Sequence, residues 1–154
     1  MSDTAIHGPL LGQASVCEPI LRALPQWFGI EAAVAQYARD IETLLTFLAE
    51  RDGAAAGFLT LKRHNAVAAE IYVMGVYPEM RRQGIGRALL LQAEAYLRRE
   101  QVEYLQVKTL GASHPDPGYA QTRAFYATMG FSPLEEFTQI WDAQNPCLLM
   151  VKRL

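Results

Sequence analysis

Between Ile71 and Ala88 the chain changes character within a few residues. Ile71-Tyr72-Val73-Met74-Gly75-Val76 is a β-branched and aromatic run. From residue 84 to 99 the spacing becomes helical, with Ile85, Leu89, Ala93 and Tyr96 on one stripe. Arg81-Arg82-Gln83-Gly84-Ile85-Gly86-Arg87 joins the two. Glycines at 84 and 86 let main chain approach another group closely, and the first turn of the helix leaves N–H groups without intrahelical partners. A strand that feeds a helix through such a turn implies a sheet with the helix packed on its face, and it makes the helix mouth a place for an anion.

The spacing narrows the kind of anion. A P-loop ends in Gly-Lys-Ser or Gly-Lys-Thr, whereas Gly86 is followed by Arg87 and Ala88. A dinucleotide fingerprint needs a third glycine where Leu89 stands, and an initial βαβ unit that the preceding residues do not supply. What remains is Arg-x-x-Gly-x-Gly, with Arg82 and Arg87 adding charge at the entrance, a pattern suited to a pyrophosphate held mainly by main-chain donors. The alternative is a glycine-rich turn bordered by surface arginines.

The chain has 154 residues, 51% hydrophobic and 19% charged, which fits one globular domain over 1–154 with a substantial core. A formal net charge of −2 provides no broad basic field for nucleic acid or anionic lipid. Cys17 and Cys147 form no C-x-x-C or Cys/His cluster, so reduced structural thiols and no metal site are expected. The N-terminus lacks a basic-then-apolar leader pattern and no apolar run reaches membrane-spanning length, so the expected location is cytoplasmic.

Glu18 to Leu24 and Glu31 to Asp40 read as helices, with Pro25 between them. Thr43 to Glu50 and Ala55 to Lys62 flank Arg51-Asp52-Gly53 and predict an antiparallel hairpin. Residues 67–76 form a third strand, in which Gly75 marks a bulge or a close backbone approach. After the helix at about 84–99, where Glu94 is spaced to pair with Arg98, Tyr104 to Leu110 is another strand. Asp116 caps and Pro117 starts a helix to Met129 that Gly130 closes, and Phe131 to Ile140 and Cys147 to Arg153 complete the sheet. The order ααβββαβαββ is a mixed α/β sheet with helices on its faces.

The run Glu70 to Ala88 and the segment Ala124-Phe125-Tyr126-Ala127-Thr128-Met129-Gly130-Phe131 together resemble the GNAT superfamily of acyl-CoA-dependent N-acyltransferases, over roughly residues 43–154. The resemblance implies a central mixed sheet of about six or seven strands flanked by helices, two of its strands splayed to form an acetyl-CoA cleft. It implies that Met74, Gly75 and Val76 offer backbone groups to pantetheine. Arg81, Arg82, Gln83, Gly84, Ile85, Gly86 and Arg87 would then surround the pyrophosphate. Many members carry asparagine where this chain has Tyr119, which puts cofactor contacts from the late helix in doubt.

An amine attacks only after it loses a proton, so amide formation needs a base or a route to water. Glu70, in Ala-Glu-Ile at the start of the strand leading to the loop, resembles the general base of the family's histone-acetylating branch; an exposed glutamate at a strand edge is the alternative. Tyr126 matches the family's candidate acid for the leaving thiolate, although Tyr119, Thr122, Tyr126 and Met129 also share a helical face that could simply pack. A backbone N–H around Met74 to Val76 would serve the oxyanion. His114 could touch substrate or shuttle a proton, and Trp27, Phe28 and Trp141 could line an acceptor pocket. The expected activity is transfer of an acetyl group from acetyl-CoA to a primary amine, on a small molecule or a peptide, by direct attack. A non-catalytic acyl-CoA sensor is the rival, and a homodimer through the final strands or N-terminal helices is compatible.

Overall fold

The computed structural model describes residues 3–154. The chain runs through β1 (Thr4–Leu10), α1 (Ala14–Arg22), α2 (Glu31–Ile41), β2 (Leu45–Arg51), β3 (Ala54–Arg63) and β4 (Ala68–Val76). A single 3-10 turn at Pro78–Met80 leads to α3 (Ile85–Arg99), then β5 (Tyr104–Leu110), α4 (Pro117–Thr128), β6 (Ser132–Asp142) and β7 (Asn145–Arg153).

Local chemistry explains most of these boundaries. Asp52 and Gly53 both take positive φ, 53° and 79°, the geometry of a two-residue hairpin turn, and β2 and β3 pair across it. The Asp116 carboxylate accepts from the Gly118 and Tyr119 amides at 2.8 and 3.3 Å, Pro117 occupies the first turn, and α4 begins there. Gly130, at φ 98°, follows the end of the same helix.

The strands lie in the order β1-β2-β3-β4-β5-β7-β6. Every pairing is antiparallel except β4 with β5, which is parallel. Helices cover both faces. On one face α3 and α4 bury Ile85, Leu89, Ala93, Leu97 and Tyr126 against Leu59, Ile71, Leu105 and Val107. On the other, α1 and α2 bury Cys17, Ile20, Leu21, Val34 and Ile41 against Phe58 and Val73. Both cysteines are free and buried.

Two expectations need correction, and the alternative left open at Gly75 is decided. The N-terminal region holds a strand ahead of its two helices, so the order is βααβββαβαββ. Gly8-Pro9 interrupts the alternation of β1, and its partner β2 lies far along the chain, so no local pattern announces it. The first helix starts at Ala14 rather than Glu18 and carries Pro19 inside it. Finally, Gly75 is a close approach and not the bulge. A Cβ there would lie 3.0 Å from Leu24 Cδ1 and 3.3 Å from Ile20 Cγ2, so the missing side chain lets α1 settle on the sheet. The bulge falls at Tyr72, where the β3–β4 register jumps from Thr60↔Val73 to Leu61↔Ile71.

Candidate active site

The bulge at Tyr72 coincides with the end of the parallel ladder. β4 and β5 pair from Ala68↔Tyr104 to Ile71↔Val107 and no further, although β4 continues to Val76 and β5 to Leu110. A bulge bends and twists its strand. Here that bend carries Tyr72–Val76 away from β5, so the sheet forks at its centre and the inner edge of β4 has no strand partner above Ile71.

The fork opens into a cleft of about 940 Å³. At its mouth stands α3, whose N-cap is Gly84 at φ 77°, with no side chain capping the first turn. The amides of Ile85, Gly86 and Arg87 therefore face the cleft end without intrahelical acceptors. Arg82 also takes a positive φ, 63°, so the loop reaches the helix through two left-handed residues. Met74 to Val76, Arg81, Arg82 and residues 84–87 all line the cleft. Gln83 does not; its side chain bonds to Arg51 and reaches the Glu79 carbonyl at 3.4 Å.

These residues suit a coenzyme A arm. A Cβ on Gly86 would sit 3.5 Å from Phe125 Cζ and 3.7 Å from Met74 Cε, inside the space between the fork and α4. Uncapped amides and the Arg82 and Arg87 guanidinium groups match a diphosphate, and the unpaired strand edge matches an extended chain with amide groups. Two buried polar atoms without protein partners among the described residues, Thr109 Oγ1 and His114 Nδ1, belong to residues on the same cleft wall.

Tyr126 projects from α4 into the cleft lining, 6% exposed, between the rings of Phe125 and Phe131 at 5.5 and 5.6 Å. Its hydroxyl bonds to no other described residue, and burial, with a smaller contribution from Tyr119, raises its pKa and keeps the phenol protonated. Tyr119 faces the cleft too, but it ties α4 to the α1–α2 connection: its hydroxyl donates to the Trp27 carbonyl at 3.1 Å and its ring meets Trp27 edge-on. Burial pushes the Tyr119 phenol up to about 12. Arg81 also lies over the Trp27 indole, 4.9 Å from the ring centroid. The loop before α3, the α1–α2 connection and the start of α4 thus meet at one side chain. Phe28, Trp141 and His114 line the cleft as well.

Glu70 lies one register step below the fork and is 4% exposed. It is absent from the main cleft wall and lines a smaller pocket of about 300 Å³, which shares Tyr37, Tyr72, Lys108 and Trp141 with the cleft. It is therefore not an exposed edge residue. Its neighbours His64, Gln106 and Lys108 had no place in the sequence reading. Alternation along β5 puts Gln106 and Lys108 on one face, but that they face Glu70 follows only from the parallel register of β4 and β5.

The Acetyltransferase (GNAT) domain pattern matches residues 42–133, and the chain belongs to that family. It is 35% identical over 88 residues to a mycothiol acetyltransferase of Beutenbergia cavernae, covering 57% of this chain and 28% of that protein. The chain thus spans less than a third of the length of that relative. The ribosomal-protein-S18-alanine N-acetyltransferase of Escherichia coli shares the fold, with a TM-score of 0.78 at 19% identity over 98% of this chain and 94% of that one. So does a GNAT family acetyltransferase of Elizabethkingia anophelis solved with acetyl-CoA bound, with a TM-score of 0.70 at 16% identity over 99% and 98%. Among the described residues no helix is long and apolar enough to cross a membrane, and no cluster of His, Cys, Asp and Glu is arranged to hold a metal ion.

Proposed function

We propose that this chain is an acetyl-CoA-dependent N-acetyltransferase acting on a primary amine by direct attack within a ternary complex. The observation that carries the reading is the fork between β4 and β5 with an uncapped helix N-terminus at its mouth. Such a site takes a thioester carrier lengthwise, with diphosphate on the α3 amides and pantetheine along Met74 to Val76. The Elizabethkingia relative with acetyl-CoA bound and the acetyltransferase names of the relatives support the choice of donor.

In this reading Glu70 takes a proton from the acceptor ammonium, leaving the nitrogen lone pair free to attack the thioester carbonyl. A backbone amide near Met74 to Val76 serves the oxyanion. Tyr126, neutral and buried at the cleft wall, gives its proton to the departing thiolate. Both cysteines are buried, and burial raises their pKa values, which leaves neither thiol suited to carry an acyl group. The matched relatives include proteins named for mycothiol and for an alanine of a ribosomal protein, so the acceptor is proposed only as a primary amine.

Calorimetry with acetyl-CoA tests the cradle, and thiol release with an amine panel tests the chemistry. Binding should stabilise the fold by about 2.7 kcal/mol at a hundredfold excess over Kd. Gly86→Val, whose side chain enters the space beside Phe125 and Met74, should weaken binding at least tenfold while the protein stays folded. No heat and no thermal shift with acetyl-CoA would remove the assignment; binding without thiol release would favour a sensor.

A further inference from the structure

We infer that His64 is a positioning residue for Glu70: it holds one carboxylate oxygen so that only the other meets the acceptor amine, and its protonation weakens that base. The inference rests on the base role proposed above. Every hydrogen bond to Glu70 falls on Oε1. His64 Nε2 is 2.7 Å away, Gln106 Nε2 3.3 Å and Lys108 Nζ 3.4 Å. Oε2 receives none from the described residues, and it is not among the atoms sealed from solvent without a partner. A carboxylate gripped on one side keeps its orientation, and the ungripped oxygen of this pocket-lining residue keeps its lone pairs free.

Among the three donors, His64 makes the shortest contact, and an imidazole, unlike a carboxamide, exists in neutral and cationic forms. It sits in the β3–β4 connection, its side chain 32% exposed and open to solvent while Glu70 stays buried. Other groups also face this carboxylate. Lys108 and Lys62 approach from β5 and β3, Lys62 lying opposite Glu70 in register and over the Tyr72 ring. Tyr37 from α2, Tyr72 from β4 and Cys147 from β7 are each raised, first by burial, and stay neutral. Asp40 accepts from the Tyr72 hydroxyl. Gln106 is 3.5 Å from His64 Nε2 and does not titrate.

In the working state a neutral His64 donates Nε2–H to Oε1. The ammonium N–H bond breaks, an O–H bond forms at Oε2, and the electron pair stays on nitrogen. When His64 takes a second proton, on Nδ1, its positive charge favours the carboxylate form of Glu70 and opposes that transfer. Turnover therefore falls on the acid side in a manner that depends on residue 64.

The test is thiol release from acetyl-CoA between pH 5.5 and 9 with a short peptide, spermidine and phenethylamine as amines, for wild type, Glu70→Gln, His64→Ala and His64→Gln. His64→Ala should lower kcat roughly ten- to a hundredfold, part of the 10²–10⁴ that a general base supplies, with KM for acetyl-CoA unchanged. His64→Gln keeps a neutral donor, so it should recover most of that loss at pH 8 and decline less than wild type towards pH 5.5. If Glu70→Gln is as active as wild type, or no amine is acetylated, the base reading fails and this inference with it. If Glu70→Gln is impaired while both His64 variants follow the wild-type profile, the role of His64 alone is overturned.

Discussion

Replacing Tyr126 by Phe removes one hydroxyl from a ring held between Phe125 and Phe131 and leaves that packing in place. The hydroxyl bonds to no other described residue, so the substitution strands no buried partner and stability should change by less than about 1 kcal/mol. If the phenol protonates the leaving thiolate, kcat should fall by roughly one to three orders of magnitude with acetyl-CoA affinity nearly intact. Steady-state kinetics alongside calorimetry separates the two, and unchanged turnover would return Tyr126 to a packing role. Tyr126 could be picked out beforehand because its spacing to Gly130-Phe131 is local. His64 could not, since no local pattern says that the turn into β4 folds its side chain back onto the carboxylate six residues on.

Helix α3 is joined to the rest of the fold by a buried charge. Glu94 is 1% exposed, and Lys152 of β7 reaches both its oxygens, at 3.0 and 2.9 Å, and the Met129 carbonyl at 2.7 Å. The expected Glu94–Arg98 pair exists at 3.4 Å but is the weaker partner. Lys152 passes beside Gly130, where a Cβ would stand 3.4 Å from its Cε, so the glycine that closes α4 also makes room for this link. Lys152→Met should cost roughly 3 kcal/mol in urea unfolding, because Glu94 keeps only Arg98. Adding Glu94→Leu should restore most of that loss, since an apolar pair of similar volume needs no compensating charge. A double variant no more stable than the single one would refute this account of the link.

For the molecule as a whole, alkaline pH probes the two cores together. Burial, with a smaller contribution from Glu42, pushes the Cys17 thiol under α1 from near 9 up to about 12, and burial raises Tyr126 under α4. Both groups are favoured in their neutral forms when folded, so their contribution is complete below pH 9, where the unfolded chain also holds these protons. It is lost as pH climbs from there towards 12. Thermal midpoints should thus fall across that window, and Cys17→Ala should shift the onset upward; a flat profile would show that neither core resists ionisation. Some of this architecture was legible in consecutive residues: the Asp52-Gly53 turn, the Asp116-Pro117 helix start and Gly84 before α3 each act through torsions or bonds within a few positions. The strand β1, the break in pairing after Ile71 and Val107, and the convergence of residues 64, 106 and 108 on Glu70 were not. Apart from His64, which the β3–β4 hairpin brings back onto a carboxylate six residues on, they arise from pairing between segments far apart in the chain, where a one-residue bulge at Tyr72 decides which edges part and which side chains share a face.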